Sequence, residues 1–273
     1  MQSGMEKNCN PVQISLNKDT HPDTHEAICN ICGKELKMSR DHVPLKSLGN
    51  RGTVTIKCHH AWFPIKSVTR QNGIVYRTIC AECNNTLGSL YDPYYKKFYD
   101  EVARFADIVL KTQIILNSYT VEIDTIPSLL ARSLIGHILA TKIHQNGPFM
   151  DELREYVLNP SSSLPDSLHL YVWFYADSHY KILPEYVIIK LTEPIEIYYY
   201  YIIKSYPCAY MLTNDGLPYK GLTDLLRYKN GEKTKVSLDL LYHPKPDWPE
   251  SDFVGRNDQS VLIGANNLNS IET

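Results

Sequence analysis

The apolar positions in the middle of the chain recur three and four residues apart, which is typical of amphipathic helices. After Asp92-Pro93, which fits a helix start, the apolar face of the first predicted helix consists of Phe98, Val102, Phe105 and Val109. A second, more apolar helix is predicted over 126–144, and a short third helix over 148–158 with Pro148 near its first turn. The middle of the chain is therefore expected to be helical.

The pattern changes after the loop NPSSSLPDS at 159–167, where β-branched and aromatic residues become frequent. Four stretches are typical of strands, namely LHLYVWFYA, YVIIKL, IEIYYYYIIK and CAYMLT. We expect them to form one antiparallel sheet, which the stretch KVSLDLLY at 235–242 could complete. Helices and strands together predict an α+β fold class.

Changes in composition divide the chain into four regions. Residues 1–26 are a polar leader that we expect to be flexible, and 27–92 carry the cysteine and histidine motifs. Residues 93–245 form the predicted α+β accessory domain, and 246–273 are expected to be a loosely ordered tail. Neither a membrane-spanning apolar stretch nor a signal-type N-terminus is found, so we expect a soluble, cytoplasmic protein without membrane contact.

Four of the seven cysteines form two pairs of equal spacing, Cys29-x-x-Cys32 and Cys80-x-x-Cys83. A two-residue gap lets both thiolates of a tight turn reach one ion, and two such turns complete the tetrahedron that Zn²⁺ prefers. We therefore predict a structural zinc site with a long loop inserted between the pairs. Two unrelated redox or packing pairs are the alternative. Cys58 and Cys208 are interpreted as ordinary buried thiols, and a second metal at Cys58-His59-His60 is the alternative for the first of them.

Basic residues are concentrated between the two cysteine pairs. Residues 29–83 contain nine basic and three acidic residues, whereas the whole chain contains 28 basic and 30 acidic residues. A basic module on an acidic body is expected to attract a polyanion through phosphate contacts. Ordinary variation of the surface charge is the alternative.

Three residues near the cysteines have the chemistry of phosphodiester cleavage. Asp41 and His42 are adjacent in SRDHVP, and Asn84 directly follows the last cysteine of the second pair. Hydrolysis needs a base that takes a proton from water and a hard cation that neutralises developing charge. Histidine titrates near neutral pH, and carboxylate and amide oxygens suit Mg²⁺. Taken singly, the Asp-His pair also fits a turn, and Asn84 also fits a helix cap.

The ordered set CNIC, SRDHVPLKSLGN and CAECNNTLGS resembles the HNH endonucleases of the ββα-metal type. It is most similar to their bacterial and phage subgroup with a zinc knuckle, and the resemblance covers residues 27–92. The resemblance implies that His42 is the general base that activates water. It also implies that Asp41 and Asn84 are the protein ligands of a catalytic Mg²⁺ or Mn²⁺. Many members of the family have a histidine at the position of Asn84.

Three further expectations follow from this resemblance. The family uses a middle asparagine to orient the general base, and both Asn50 and Asn72 are candidates for that role. The insert at 51–77 departs from the compact family pattern and could either clamp the substrate or pack on the second half of the chain. The basic residues Arg40, Lys46 and Arg51 are expected to hold neighbouring phosphates.

The second half of the chain offers weaker signals. Twenty tyrosines are present, and YYYY at 198–201 falls in a predicted strand, so these rings form either a packed aromatic sheet or a stacking platform for nucleobases. His137 and His144 on the second predicted helix are interpreted as core or surface histidines rather than ligands.

These observations favour a metal-dependent endonuclease that cuts DNA, with RNA as the alternative substrate. The architecture resembles that of antiphage defence effectors, in which a sensing domain, a regulatory protein partner or a homo-oligomer controls the nuclease. Two rival hypotheses are a zinc-knuckle protein that binds nucleic acid without cutting it, and an interaction protein whose aromatic sheet docks a partner.

Overall fold

The computed structural model describes residues 26–60, 63–112, 119–142, 147–191, 193–241, 244–245, 248–249, 260–264 and 268–272. The backbone alone is described for residues 56–60, 63–68, 110, 112, 260–264 and 268–272. The predicted leader, except for Glu26, and His144 lie outside the described residues. None of the described helices is both long enough and apolar enough to cross a bilayer.

The N-terminal part consists of short antiparallel strand pairs. β1 (Glu26–Ile28) pairs with β2 (Glu35–Lys37), and both precede β3 (Asp41–His42). A 3-10 helix at Lys46–Leu48 and a hairpin follow, and the hairpin consists of β4 (Val54–His60) and β5 (Phe63–Arg70). β6 (Val75–Tyr76) then pairs with β3. The chain therefore returns to the Asp-His pair after the long insert.

One continuous helical segment follows β6. α1 (Ala81–Thr86) begins after Cys80, whose side chain accepts a hydrogen bond from the Cys83 amide. A π-helical turn at Leu87–Tyr91 leads from α1 into α2 (Asp92–Thr112). Leu87 and Asp92 both keep right-handed helical backbone angles, so the helical conformation continues through both residues. The predicted amphipathic helix is therefore the C-terminal part of a longer helical rod.

The second predicted helix is buried along its whole length. α3 (Pro127–Thr141) follows β7 (Thr120–Thr125), and fourteen of its residues are buried. Burial on all sides is expected for a helix whose apolar residues are distributed around its whole circumference. α4 (Met150–Leu158) packs against α3 and corresponds to the third predicted helix.

The C-terminal half consists mainly of one antiparallel sheet. Its strands are β8 (His169–Phe174), β9 (Tyr180–Lys190), β10 (Glu196–Ser205), β11 (Cys208–Thr213) and β12 (Thr223–Asp224). They lie in the order β12-β8-β11-β10-β9. The prediction of an α+β fold with an antiparallel sheet is confirmed at this level.

The sheet continues beyond β9 with strands from both ends of the chain. β13 (Thr234–Asp239) belongs to another sheet. The two strands that follow it, β14 (Ser260–Gly264) and β15 (Leu268–Glu272), both pair with β9. β15 also pairs with β4, so the backbone of the inserted hairpin joins the main sheet. Residues 260–264 and 268–272 of the predicted tail are therefore strands.

The stretch KVSLDLLY does not complete the main sheet. Its strand β13 pairs with β7 in a separate two-stranded sheet, with Val236 opposite Ile123 and Leu238 opposite Val121. Buried and more exposed positions alternate in both strands, so this ribbon buries one face. The expected pairing was wrong because β7 was not recognised as a strand and therefore as the partner of β13.

Apolar side chains cover both faces of the main sheet. Tyr200 belongs to one core cluster together with Trp173 and Met211, whereas Tyr201 belongs to the larger cluster that contains the apolar residues of α3. Neighbouring residues of a strand point to opposite faces, so the YYYY run supplies both clusters. The rings of Tyr200 and Tyr201 are buried, and this pair therefore belongs to a packed aromatic sheet.

The C-terminal end of α3 is held by side chains from the N-terminal part. Asn30 donates from Nδ2 to the carbonyl oxygens of Leu139 (2.8 Å) and Lys142 (3.0 Å). Thr78 donates to the carbonyl oxygen of Ala140 (2.6 Å). The last carbonyls of a helix have no partner within it, and here they are satisfied by residues next to the cysteines.

Replacement of Asn30 by alanine is expected to lower the free energy of unfolding by about 2 kcal/mol or more. The buried Lys142 carbonyl loses its donor and the Leu139 carbonyl keeps only the Lys142 amide at 3.2 Å, and an unsatisfied buried group costs about 1–3 kcal/mol. Denaturant unfolding of the zinc-loaded protein measures this change. Asn85→Ala is the matched control, because Asn85 is exposed on α1 and should change stability by less than about 0.5 kcal/mol. Equal stability of the two variants would contradict the capping role of Asn30.

Candidate metal centre and catalytic strand

The two predicted cysteine pairs form one cluster. The Sγ atoms of Cys29, Cys32, Cys80 and Cys83 all lie within 4.8 Å of one another. The Sγ atoms of Cys32 and Cys80 are 4.0 Å apart. Tetrahedral zinc with bonds of about 2.3 Å places its sulfurs about 3.8 Å apart. The cluster has the donor set and nearly the spacing of a four-cysteine site, and it could hold a structural zinc.

Local backbone structure shapes both cysteine turns. In the first turn, the Gly33 amide donates to the Cys29 carbonyl and the Cys29 amide donates to the Lys34 carbonyl, both at 2.9 Å. Gly33 has φ +69°, a left-handed conformation that glycine adopts without strain. The second turn begins α1, and the Cys80 amide donates to the Sγ of Cys29 at 3.3 Å. The two turns are therefore connected directly.

The environment of the cluster favours a thiolate at Cys29. Its pKa is lowered to about 4 because the Cys83 thiol and the backbone amides of Cys32, Cys80 and Ile31 hydrogen-bond to it, although burial opposes ionisation. The thiolate is the form of cysteine that binds metal. The pKa of the Cys83 thiol is raised, mainly by its hydrogen bond to Cys29, and burial raises the pKa of Cys32. Without an ion the negative charge therefore lies on Cys29, whereas a bound Zn²⁺ would favour the thiolate form of all four cysteines.

The remaining cysteines do not extend this cluster among the described side chains. Cys208 lies on β11, and its burial raises its pKa to about 12, as expected for an ordinary buried thiol. The side chains of Cys58, His59 and His60 lie outside the described residues, so the candidate second metal site stays a prediction.

Asp41 and His42 form the short strand β3 beside the cysteine cluster. Asp41 lies opposite Tyr76 of β6 and is only 4% exposed, whereas His42 is half-buried. The His42 Nε2 atom is 3.1 Å from the Asn72 carbonyl oxygen, to which it donates in the tautomer that leaves Nδ1 as the basic nitrogen. The Asn72 backbone therefore fixes the ring of His42.

The pKa of His42 lies below its ordinary value. Burial is the main cause, and the positive charges of Lys46 and Arg40 contribute, against an opposing effect of the Asn72 carbonyl. A histidine with a lowered pKa is neutral at neutral pH and can accept a proton. Arg40, Lys46 and Arg51 are all exposed, so their side chains are accessible to phosphates.

The buried side chain of Asn50 ties together the segments that flank the strand pair β3–β6. Its Nδ2 donates to the carbonyl oxygens of Pro44 (2.6 Å) and Ile74 (3.0 Å), and its Oδ1 accepts from the Ile74 amide (2.7 Å). A Cβ atom at Gly73 would collide with Asn50, so the close packing depends on glycine. Of the two candidate asparagines, Asn50 acts through its side chain on the loop, and Asn72 contacts His42 through its backbone.

Asn84 attaches α1 to the residues that lead into β3. Its Nδ2 donates to the Arg40 carbonyl oxygen at 2.9 Å and to the Ser39 hydroxyl at 3.1 Å. These two bonds use the amide nitrogen, so they do not involve Oδ1, the atom through which an amide binds a metal. Strand pair, helix and cysteine cluster thus bring the three predicted site residues into one small region.

A buried histidine of α3 contacts the carboxylate of Asp41. The Nδ1 atom of His137 lies 3.1 Å from Oδ2 of Asp41, and its Nε2 atom lies 3.1 Å from Oδ1 of Asp92. The Ser133 hydroxyl also donates to Oδ1 of Asp92, at 2.7 Å. Burial would lower the pKa of His137, but the carboxylates of Asp41 and Asp92 outweigh it and raise the pKa to about 10.

Sequence reasoning did not connect His137 with the candidate site. The histidine was interpreted as a core or surface residue, and it is indeed 1% exposed. Ninety-six positions separate it from Asp41 in the chain, and no local pattern indicates a contact over that distance. The spacing of Ser133 and His137, one helical turn apart, was the one signal that both face the same side of α3.

A cavity in the described part of the chain lies away from these residues. It has a volume of about 180 Å³ and is lined by residues of α3, α4 and the segments 162–168 and 225–230. Asp41, His42, Asn84 and the four cysteines are not among its lining residues.

Comparisons of the chain with protein-family models, with curated proteins and with solved structures found no match. Function is therefore inferred from the geometry of the chain itself.

Zinc analysis is expected to find about one ion per chain in the wild type, because the four clustered thiols form one closed set of ligands. Cys83→Ala should lose this zinc and unfold the N-terminal part, since a structural zinc contributes folding free energy directly. Metal content and thermal unfolding measure both effects.

Cys208→Ala is the matched control for the zinc measurement, because it also removes a buried thiol, but one outside the cluster. It should keep the full zinc content. Loss of zinc in both variants, or in neither, would contradict the assignment of the site.

Proposed function

We propose that the protein is a metal-dependent endonuclease of the HNH type that hydrolyses phosphodiester bonds of DNA. The observation that carries this proposal is the meeting of β3, β6 and α1 beside the cysteine cluster. This arrangement is a ββα unit in which Asn84 of α1 hydrogen-bonds to the carbonyl of Arg40, the residue directly before Asp41 and His42.

His42 would act as the general base in this reaction. The Asn72 carbonyl binds one ring nitrogen, and the other is left to take a proton from the attacking water. The lowered pKa keeps the ring neutral in the pH range where the reaction is expected to run. Asn50 supports the loop that carries this carbonyl, because it bridges the segments on either side of the strand pair.

Asp41 and Asn84 are the residues that would hold a catalytic cation. A Mg²⁺ or Mn²⁺ ion would neutralise the charge that develops on the phosphate during hydrolysis. Both residues offer oxygen atoms, which hard cations prefer. The two hydrogen bonds of Asn84 use its Nδ2, which leaves its Oδ1 for the cation. The bond between Asp41 and His137 uses Oδ2, which leaves Oδ1 of Asp41.

The exposed basic residues support DNA as the ligand. Arg40 and Lys46 lie near enough to His42 to lower its pKa, and Arg51 follows Asn50 at the start of the insert. Positive side chains beside a general base would hold the phosphates next to the one that is cut. The accessory domain, a regulatory partner or a homo-oligomer would control the activity, a plan that suits an antiphage defence effector.

One observation favours a second candidate function, a zinc-knuckle protein that binds nucleic acid without cutting it. Asp41 is 4% exposed, and one of its carboxylate oxygens is already bound to a buried histidine. Such a carboxylate could serve only to join the N-terminal part to α3. The two functions differ in what His42 does, because only the nuclease requires its ring nitrogen.

The nuclease proposal predicts that His42→Ala lowers the rate of plasmid nicking by about 10²–10⁴-fold, the usual contribution of a general base. Purified, zinc-loaded protein is incubated with supercoiled plasmid in the presence of Mg²⁺ or Mn²⁺ and, separately, without either ion. Wild type should cut only when one of these ions is present.

His179→Ala serves as the matched control, because His179 directly precedes β9, is partly exposed and hydrogen-bonds through its ring to Asp177. It should cut at the wild-type rate. Plasmid binding without cutting by the folded wild type, with either ion, would favour the non-catalytic candidate.

Alanine at Lys46 or Arg51 is expected to weaken DNA binding at all sequences alike. Each phosphate contact that is lost should reduce the slope of log affinity against log salt concentration by about 1. Fluorescence anisotropy with a labelled duplex at several salt concentrations measures the slope. Lys96→Ala is the control, because Lys96 is exposed on α2 and paired with Asp100. An unchanged slope in the Lys46 and Arg51 variants would exclude them as phosphate contacts.

A further inference from the structure

Asp41, one of the two candidate metal ligands, hydrogen-bonds to α3 through its own side chain. The contact runs from Oδ2 of Asp41 to Nδ1 of His137, at 3.1 Å, between side chains that are 4% and 1% exposed. Hydrogen bonds between a carboxylate and an imidazole are strong when water is excluded from them.

The other side of the His137 ring is fixed as well. Its Nε2 atom lies 3.1 Å from Asp92, and the same carboxylate oxygen accepts a hydrogen bond from Ser133. An ionised carboxylate only accepts hydrogen bonds, so both ring nitrogens act as donors. The ring therefore has one orientation in which both donors are used, and this orientation determines where Oδ2 of Asp41 lies.

The backbone around His137 is arranged to allow this contact. At the neighbouring Gly136, a Cβ atom would collide with the side chain of Leu87, so glycine allows α3 to approach the helical rod closely. The π-helical turn that begins at Leu87 ends directly before Asp92, the second partner of His137. Such turns are frequent at functional sites, and here the turn sets the position of Asp92 along the rod.

We propose that His137 is a positioning residue that holds one carboxylate oxygen of Asp41, so that the other oxygen is presented to the catalytic cation. The hydrogen-bonded chain from Ser133 through Asp92 and His137 to Asp41 carries this proposal. The inference rests on the proposed function, because it assumes that Asp41 binds the cation. Partners of metal ligands that act in this way usually contribute about 10–100-fold to metal affinity.

Two substitutions at position 137 separate this role from a merely structural one. The amide nitrogen of His137→Asn occupies nearly the place of Nδ1, so it keeps the bond to Asp41 and loses the bond to Asp92. The amide nitrogen of His137→Gln corresponds to Nε2, so it keeps the bond to Asp92 and loses the bond to Asp41. Both variants replace one buried imidazole by one neutral amide, so a general loss of packing or charge would affect both alike.

The experiment measures the binding of Mn²⁺ to the zinc-loaded full chain by electron paramagnetic resonance of the free ion, without DNA. Wild type, Asp41→Asn, Asp92→Asn, His137→Asn and His137→Gln are compared, and zinc content and thermal unfolding report their folding. We expect His137→Gln to bind Mn²⁺ at least about tenfold more weakly than wild type. His137→Asn and Asp92→Asn should bind Mn²⁺ more tightly than His137→Gln but more weakly than wild type, because they keep the bond to Asp41 and lose only the contact with Asp92 that orients it.

Each outcome bears on one of the two proposals. If Asp41→Asn weakens Mn²⁺ binding but the two His137 variants bind equally well or equally poorly, the positioning role of His137 is wrong and the proposed function stands. If wild type binds no Mn²⁺, or Asp41→Asn binds it as well as wild type, then Asp41 is not a ligand of the cation. In that case the proposed function fails at this residue, and the inference about His137 fails with it.

Discussion

A helix that is buried along its whole length has no water to satisfy the carbonyl groups of its last turn. α3 is such a helix, and the partners of its last carbonyls are Asn30 and Thr78, which lie next to the two cysteine pairs. The cysteine cluster and α3 therefore depend on each other. The cluster fixes the turn that carries Asn30. The docked end of α3 in turn fixes the position of His137, which lies in the last part of this helix and contacts Asp41.

The sequence was informative wherever a pattern is local. Two cysteine pairs of equal spacing predicted a cluster that the structure brings within 4.8 Å, and apolar periodicity predicted α3 and α4 within a few residues of their ends. Strand composition likewise predicted the four long strands of the main sheet. In each case the signal lies within a few neighbouring residues, because turns, helices and strands are short-range arrangements.

Contacts between distant parts of the chain were not predictable in the same way. The pairing of β13 with β7 joins residues about a hundred positions apart, and the bond between Asp41 and His137 spans a similar distance. Asn30 had no sequence signal for its role, since an asparagine beside a cysteine turn is compatible with many partners. The candidate site is thus predictable as a set of residue types, whereas its surroundings depend on the packing of α3, which only the folded chain defines.

The helical rod from α1 to α2 joins the cysteine cluster to the rest of the protein through the π-helical turn at Leu87–Tyr91. Its first residues are fixed by the cysteines and by the bonds of Asn84 to the strand, and its next turns carry Asp92 against α3. Because one helical segment carries both residues, a displacement of α2 would act on Asp92 and on Asn84 together. Events elsewhere in the chain could therefore reach Asp41 and the cysteine cluster through this segment.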